Sequence, residues 1–371
     1  MFMMRTGVAL LAFWLFLLVI PVRGDEGMWL YTNVPTDRLA KKYGFQVTPQ
    51  WLENLQKSSV RFNSGGSGSF VSADGLVLTN HHVASDALQK LSNKDRNLYR
   101  DGYHARTRAE ELKCEAMELN VLMDIEDVTE RVNKAVPPGT PADKAAGLRR
   151  AAINTIEKEA RDRTKLQPQV VTLYQGGAYH LYLFKKYTDV RLVFAPEKAI
   201  AFFGGDPDNF EYPRYDLDIT FFRVYENDKP VRVKHYLNWA REGLKEDDLI
   251  FVSGHPGRTS RNLTVAELEY LRDQSFPFLL QRLNRLEVML STYCDRSAEN
   301  RRQAEELLFS VQNSRKARLG GQAALLDPRL LAGKRKEEAR LREKANSDPS
   351  LASARTAWDR IAAAQKVRAS I

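Results

Sequence analysis

The sequence predicts a mainly β region with helical insertions over residues 25–264, followed by an α-helical region over residues 265–371. Three observations predict it. Short apolar or β-branched runs, bounded by glycine, proline and asparagine, recur between Val60 and Val252, as strands do. Past Thr264 the β-branched residues thin out, and apolar residues fall at helical spacing: Val265, Leu268, Leu271, then Leu279, Leu283, Leu286 and Leu290. The 371 residues are 43% hydrophobic, enough for two cores.

The N-terminus reads as a targeting segment. Arg5 precedes an apolar run, residues 8–20, and then Pro21-Val22-Arg23-Gly24. A basic start, an apolar stretch too short for a comfortable span, and Val22 and Gly24 before the cut describe a signal peptide, residues 1–24, cleaved after Gly24. An uncleaved anchor is the alternative. No later apolar run is long enough to cross a bilayer. The mature protein is therefore expected to be exported, periplasmic or secreted, and free of the membrane. Its cysteines, Cys114 and Cys294, lie far apart in sequence, and no disulfide between them is expected.

Thr36 to Tyr43 reads as a short helix closed by Gly44, and Thr48-Pro49 starts another carrying Trp51, Leu52 and Leu55. Val60-Arg61-Phe62 leads into GGSGSFVSADGLVLTNHHV, residues 65–83, a β-hairpin that delivers a histidine. Its strands are Phe70-Val71-Ser72 and Leu76-Val77-Leu78, joined by a Ser72-Ala73-Asp74-Gly75 turn in which Gly75 suits a positive φ. Thr79 and Asn80 are expected to cap a following helix through their side-chain oxygens. That places His81 and His82 at a strand-to-helix junction. Residues 119–128 alternate as a strand. Residues 142–163, rich in Ala, Lys and Glu, form a helical excursion, and residues 170–174 and 182–195 return to strand character.

A second polar cluster, FGGDPDNFEYPRYDLD, spans residues 203–218. Long loops of this kind are more often functional than decorative. It ends at Asp218, read as the first residue of an apolar strand through Tyr225, and residues 249–252 are read as a last buried strand. The helical pattern after Thr264 continues through Leu307, Leu308 and Val311 to Ile371 without a closing cap, which reads as a truncation.

Net charge is +9, and residues 301–371 hold sixteen Lys/Arg against eight Asp/Glu. Acids are interleaved with the bases and no aromatic ladder accompanies them, so the segment reads as a solvated helical face rather than a nucleic-acid surface. No cofactor or metal is called for. His81 and His82 with Asp206 or Asp208 make a poor metal set, because adjacent histidines point apart and no HExxH or CxxC spacing exists. His104, His180, His235 and His255 read as structural. A histidine followed by a later aspartate instead suggests proton transfer: a carboxylate holding one imidazole nitrogen leaves the other free to take a hydroxyl proton.

The resemblance then becomes specific. TNHH after the GSGSFVSADGLVL hairpin, DEGMW at residues 25–29, and GGDPDNFEYPRYDLD at residues 204–218 together resemble serine peptidase family 46, bacterial dipeptidyl-peptidases of the chymotrypsin-like clan. The likeness runs over residues 25–371, which it implies to be the first half of such an enzyme. It implies a chymotrypsin-like six-stranded β-barrel with helical insertions, followed by a truncated α-helical cap domain. It makes His82 the catalytic base, Asp218 its orienting carboxylate, and Asn209 and Phe210 the readers of a peptide's free N-terminus. The activity implied is a serine-type dipeptidyl aminopeptidase acting through an acyl-enzyme on peptides with free N-termini, as a possible homodimer.

The sequence departs from the family pattern in three places. Val83 stands where many members carry a cysteine, and Phe210 where many carry tryptophan. No GxSG-type nucleophile follows Asp218: Ser260, Ser275 and Ser291 have no flanking glycine, Ser253 has Gly254 after it but Phe251 where the first glycine of the motif would stand, and Ser67 and Ser69 precede the histidine. These 371 residues alone are therefore expected to be catalytically incompetent. Two other readings remain: a Deg-type periplasmic endoprotease, whose serine would follow without a helical region between, and a non-catalytic peptide-binding pseudoprotease.

Overall fold

A computed structural model describes residues 27–93, 95–257 and 260–371. The signal peptide expected over residues 1–24 lies outside the described residues. Eleven strands form one antiparallel sheet: β1 Ser59–Phe62, β2 Ser67–Phe70, β3 Leu76–Thr79, β4 Tyr103–His104, β5 Leu112–Lys113, β6 Leu119–Asp127, β7 Gln167–Leu173, β8 Ala178–Tyr187, β9 Asp189–Ala195, β10 Thr220–Glu226 and β11 Lys229–Pro230. The order is β4-β9-β10-β3-β2-β1-β6-β8-β7, with β5 beside β9 and β11 beside β10.

Alternation dictates the core. Val60 and Phe62, Phe70, Val77, Leu119 and Val121, Val190 and Leu192, and Phe222 and Val224 share one buried cluster. They come from the consecutive strands β9, β10, β3, β2, β1 and β6, each turning alternate residues to one face. The run expected as one strand over 182–195 is two. Tyr187 at the end of β8 pairs with Leu119 of β6, and Asp189 at the start of β9 pairs with Tyr225 of β10. Thr188 alone separates them, so one stretch of chain joins both ends of the six-strand set. A second cluster forms where helix Ala142–Thr164 lays Ile156 and Ala160 on Tyr179, Leu181 and Leu183 of β8.

Local signals act as the sequence suggests at several points. Gly44 closes helix Thr36–Tyr43 with a φ of 65°, and the Thr48 hydroxyl caps helix Pro49–Ser58 by accepting from the Trp51 N–H. Gly75 adopts a φ of 75° in the hairpin turn. Thr264 and Glu267 form a reciprocal capping box at the start of helix Val265–Tyr270. Beyond it the described elements are predominantly helical: Phe276–Cys294, Ala298–Leu326, Pro328–Ser347 and Ala357–Ala369. Cys114 and Cys294 are both free, and they are buried in different clusters, one in the sheet core and one among the helices.

The strand expected at 249–252 does not form, and the segment is not buried. Ile250 is 60% and Val252 95% exposed. An apolar run becomes a strand only where a neighbour takes up its N–H and C=O groups, and no described strand flanks it. Phe251 docks instead on Phe45 and Trp51, with ring centroids 5.0 and 4.9 Å away. Among the described residues no helix is long and apolar enough to cross a membrane.

Candidate active site

The site stands at the end of two paired strands. Thr79 of β3 lies opposite Thr220 of β10, so the chain leaving β3 and the chain arriving at β10 emerge side by side. His82 comes three residues after Thr79, and Asp218 two before Thr220. Asp218 thus precedes its strand rather than opening it, which frees its side chain to turn toward the neighbour.

The cap expected at Asn80 comes from elsewhere. Asn80 makes no side-chain bond to the first turn of helix His81–Leu91. Its amide donates instead to the Asp218 carbonyl at 3.0 Å. The helix start is capped by the Asp218 carboxylate, whose Oδ1 accepts the His82 backbone N–H at 3.0 Å. A negative group there is favoured by the exposed N–H groups and by the helix dipole. The other oxygen, Oδ2, lies 2.7 Å from His82 Nδ1. One carboxylate therefore fixes both the backbone and the ring of the same histidine.

The proton inventory settles the tautomer. Burial tends to raise the Asp218 pKa, but hydrogen bonds from the His82 ring and from the backbone of His82 and His81 outweigh it, leaving the carboxyl below its ordinary value. An ionised carboxylate only accepts, so Nδ1 carries the hydrogen and neutral His82 keeps a lone pair on Nε2. The His82 pKa is raised, chiefly by its hydrogen bond to Asp218 and then by that carboxylate's charge, against an opposing burial effect. Its side chain is 66% exposed, open to an incoming group. His81 is the opposite case: it is buried beside Tyr99, and burial lowers its pKa. The two histidines point apart.

The 203–218 cluster is more structured than a loop. The helical turn Gly205–Asp208 lies within it and the turn Lys198–Ala201 just before it, and Gly204, with a φ of 78°, leaves room for the Asp208 carboxylate where a Cβ would sit. One face of helix Ala298–Leu326 holds this segment down. Glu305 pairs with Lys198 at 2.9 Å, and Phe309 meets Phe202 edge-on at 4.8 Å. Asn313 accepts from Asn209 at 2.9 Å, and Lys316 donates to the carbonyls of Asp206 and Pro207 at 2.9 and 2.6 Å. These four helix residues recur every three or four positions, as one helical stripe must.

Asn209 is buried, while Phe210 is 60% exposed with its backbone at a φ of 63°. A left-handed conformation is costly for a phenylalanine, and residues held so cluster at functional sites. The sequence reading missed Arg214 and Asn313, which hold the two ends of the Asn209 amide. For Asn313 no local signal existed, since its partner lies 104 residues away. Arg214 stood inside the quoted motif without a neighbour pattern to mark it.

Two of the serines weighed from sequence are engaged elsewhere. Ser67 Oγ accepts the His255 backbone N–H at 2.7 Å, and Ser253 Oγ bonds Ser59 Oγ at 3.0 Å. Ser275 and Ser291 lie within helical segments. No described serine hydroxyl bonds the His82 ring; Ser85 reaches only the His82 carbonyl, at 2.9 Å. Among the described residues no group of three His, Cys, Asp or Glu is placed to hold a metal ion.

Comparison with known proteins gives a consistent answer. The Peptidase S46 family model matches residues 24–371. A dipeptidyl-peptidase 7 of Capnocytophaga gingivalis is 32% identical over 66% of this chain and 37% of its own length. A second, from Phocaeicola vulgatus, is 29% identical over 89% of this chain and 50% of its own. An Asp/Glu-specific dipeptidyl-peptidase of Porphyromonas endodontalis is 32% identical over 66% of this chain and 37% of its own. Among solved structures, Porphyromonas endodontalis DPP11 in complex with the dipeptide Arg-Glu superimposes with a TM-score of 0.80 at 26% identity, covering 94% of this chain and 53% of that one. The chain spans between about a third and a half of the length of these relatives.

Proposed function

The chain belongs to the Peptidase S46 family, and from that premise we propose that the protein carrying it is a serine-type dipeptidyl aminopeptidase. The observation that carries the reading is the 2.7 Å contact between His82 Nδ1 and Asp218 Oδ2, with the rest of the ring open to solvent. In this reading Nε2 takes the proton of a serine hydroxyl as that oxygen attacks the carbonyl after the second residue of a peptide. The tetrahedral intermediate collapses as His82 returns the proton to the leaving amine, and water then releases the dipeptide from the acyl-enzyme. Asp218 keeps the imidazole in the productive tautomer and balances its transient charge. Asn209 and Phe210 hold the free amino terminus, which makes the enzyme count two residues. The nucleophile is not among these 371 residues, so the chain by itself should show no turnover.

The six consecutive strands around one core, with the β8–β9 stretch joining their ends, support reading the sheet as a chymotrypsin-like barrel. The helical stripe seated on the 198–209 segment supports reading residues 265–371 as part of a cap. Export, with removal of residues 1–24, completes the proposal.

The test is release of dipeptides from dipeptidyl-naphthylamides by the complete gene product, beside the same peptides blocked at the N-terminus. Turnover of free substrates alone is expected. Equal cleavage of blocked peptides would favour a Deg-type endoprotease, and no cleavage at all a pseudoprotease.

The pH profile has a definite sign. Protonated His82 cannot accept a proton, so kcat/KM should fall as pH drops through its folded pKa. That value lies above the ordinary 6.5, so the acid limb should have its midpoint above 6.5. By linkage, the stability that protonation of His82 adds is fully present below about 6.5, as long as Asp218 stays ionised, and is lost as pH rises through the higher folded value.

A further inference from the structure

Arg214 touches three parts of the site at once. Its Nη1 donates to Asn209 Oδ1 at 3.3 Å, and its Nη2 lies 2.9 Å from Asp216 Oδ2. Its guanidinium carbon stands 5.3 Å from the centre of the Phe202 ring, the ring that meets Phe309 of the long helix. Its Nε is buried without a partner, so the fork holds its two acceptors at the expense of a third donor. Arg214 and Asp216 are only 25% and 18% exposed, which makes theirs more than a loose surface pair.

The bonds at Asn209 define its amide. Nδ2 donates to Asn313 and Oδ1 accepts from Arg214, so neither end is free to flip. Lysine could not substitute, because a single ammonium cannot span an amide oxygen and a carboxylate in one plane as a guanidinium does. Asp216 has a second consequence. A bare guanidinium beside a subsite for an ammonium group would repel the ligand, and the carboxylate cancels that charge.

We propose that Arg214 is a positioning residue that sets the distance between the subsite for the peptide's amino group and the His82–Asp218 pair, and so fixes the length of the product. It acts through Asn209 on one side and, through Asp216, on the chain that runs into Asp218 on the other. The role assigned to Asn209 rests on the peptidase reading; the restraint on its amide does not.

Two measurements test this, and their failures are separable. In the 371-residue chain, the side-chain amide protons of Asn209 should exchange with solvent about tenfold faster in Arg214→Lys and Arg214→Met than in the wild type. Unchanged exchange would overturn the restraint whatever the protein's activity. In the complete protein, products from a peptide with a free N-terminus are sized by mass spectrometry. Wild type should release dipeptides only, whereas Arg214→Lys should give about a tenth or more of its product as single residues or tripeptides, because a ruler loosened by about an ångström misplaces the scissile bond. A variant that is slow yet releases only dipeptides would overturn the ruler and leave Arg214 a merely structural residue. Wild type releasing no dipeptides would instead sink the peptidase reading, with the exchange measurement still deciding on Arg214.

Discussion

Replacing Asp218 by asparagine is expected to lower kcat of the complete protein about 10⁴-fold while the fold persists. The reason is an accounting of donors. Asp218 accepts from two groups at once, the His82 backbone N–H through Oδ1 and the His82 ring through Oδ2. An amide of the same shape offers one acceptor and one donor. The backbone N–H can only donate, so the amide oxygen must face it and the NH2 must face the ring. Nδ1 then has to accept, which drives the ring proton onto Nε2, the atom that should receive the serine's proton. The loss of the charged cap on helix His81–Leu91 costs about 1 kcal/mol, too little to unfold the chain. Circular dichroism like that of the wild type beside the lost turnover is the expected pair of results. Activity within tenfold of wild type would contradict the role given to Asp218.

The second large effect is on stability. Phe222 is fully buried at the middle of β10, where it pairs with Val77 and Leu192 and lies 5.9 Å from the Phe62 ring. Phe222→Ala removes a ring at the centre of the sheet core and leaves a cavity that strands on either side cannot close. A cost of about 3–5 kcal/mol is expected, against a total of about 5–15 kcal/mol for a typical domain. Urea denaturation of the 371-residue chain measures it. Because β10 carries Asp218 into position, the same variant should lose the His82–Asp218 contact as the sheet loosens. A cost below about 1 kcal/mol would mean that β10 is not central to the core.

Much of this architecture was legible because it is written locally. The hairpin needs a residue with positive φ at 75, and glycine is there. The helix start at Thr48-Pro49 is declared by a hydroxyl at the capping position. His82 and Asp218 were singled out by the likeness of the motifs around them, and the register of β3 against β10 brings their side chains to 2.7 Å. What stayed hidden depends on distant partners. Asn80 looked like a cap, yet a carboxylate 138 residues further on occupies that place and takes the His82 N–H. Residues 182–195 look like one apolar run, and only pairing to β6 on one side and β10 on the other divides it at Thr188. Residues 249–252 carry strand letters but have no described strand beside them. Asn313 and Lys316 belong to a helix whose polar residues look solvated until the 198–209 segment is laid against them.

The account stands on the proton held between two side chains, and nuclear magnetic resonance of the His82 ring nitrogens reads it directly. In the 371-residue chain, at a pH above the ring's midpoint, Nδ1 should be protonated, with its proton shifted downfield by the short contact to Asp218, and Nε2 should be bare. A ring found with its proton on Nε2, or one titrating at the ordinary value of about 6.5 and indifferent to Asp218→Asn, would contradict it.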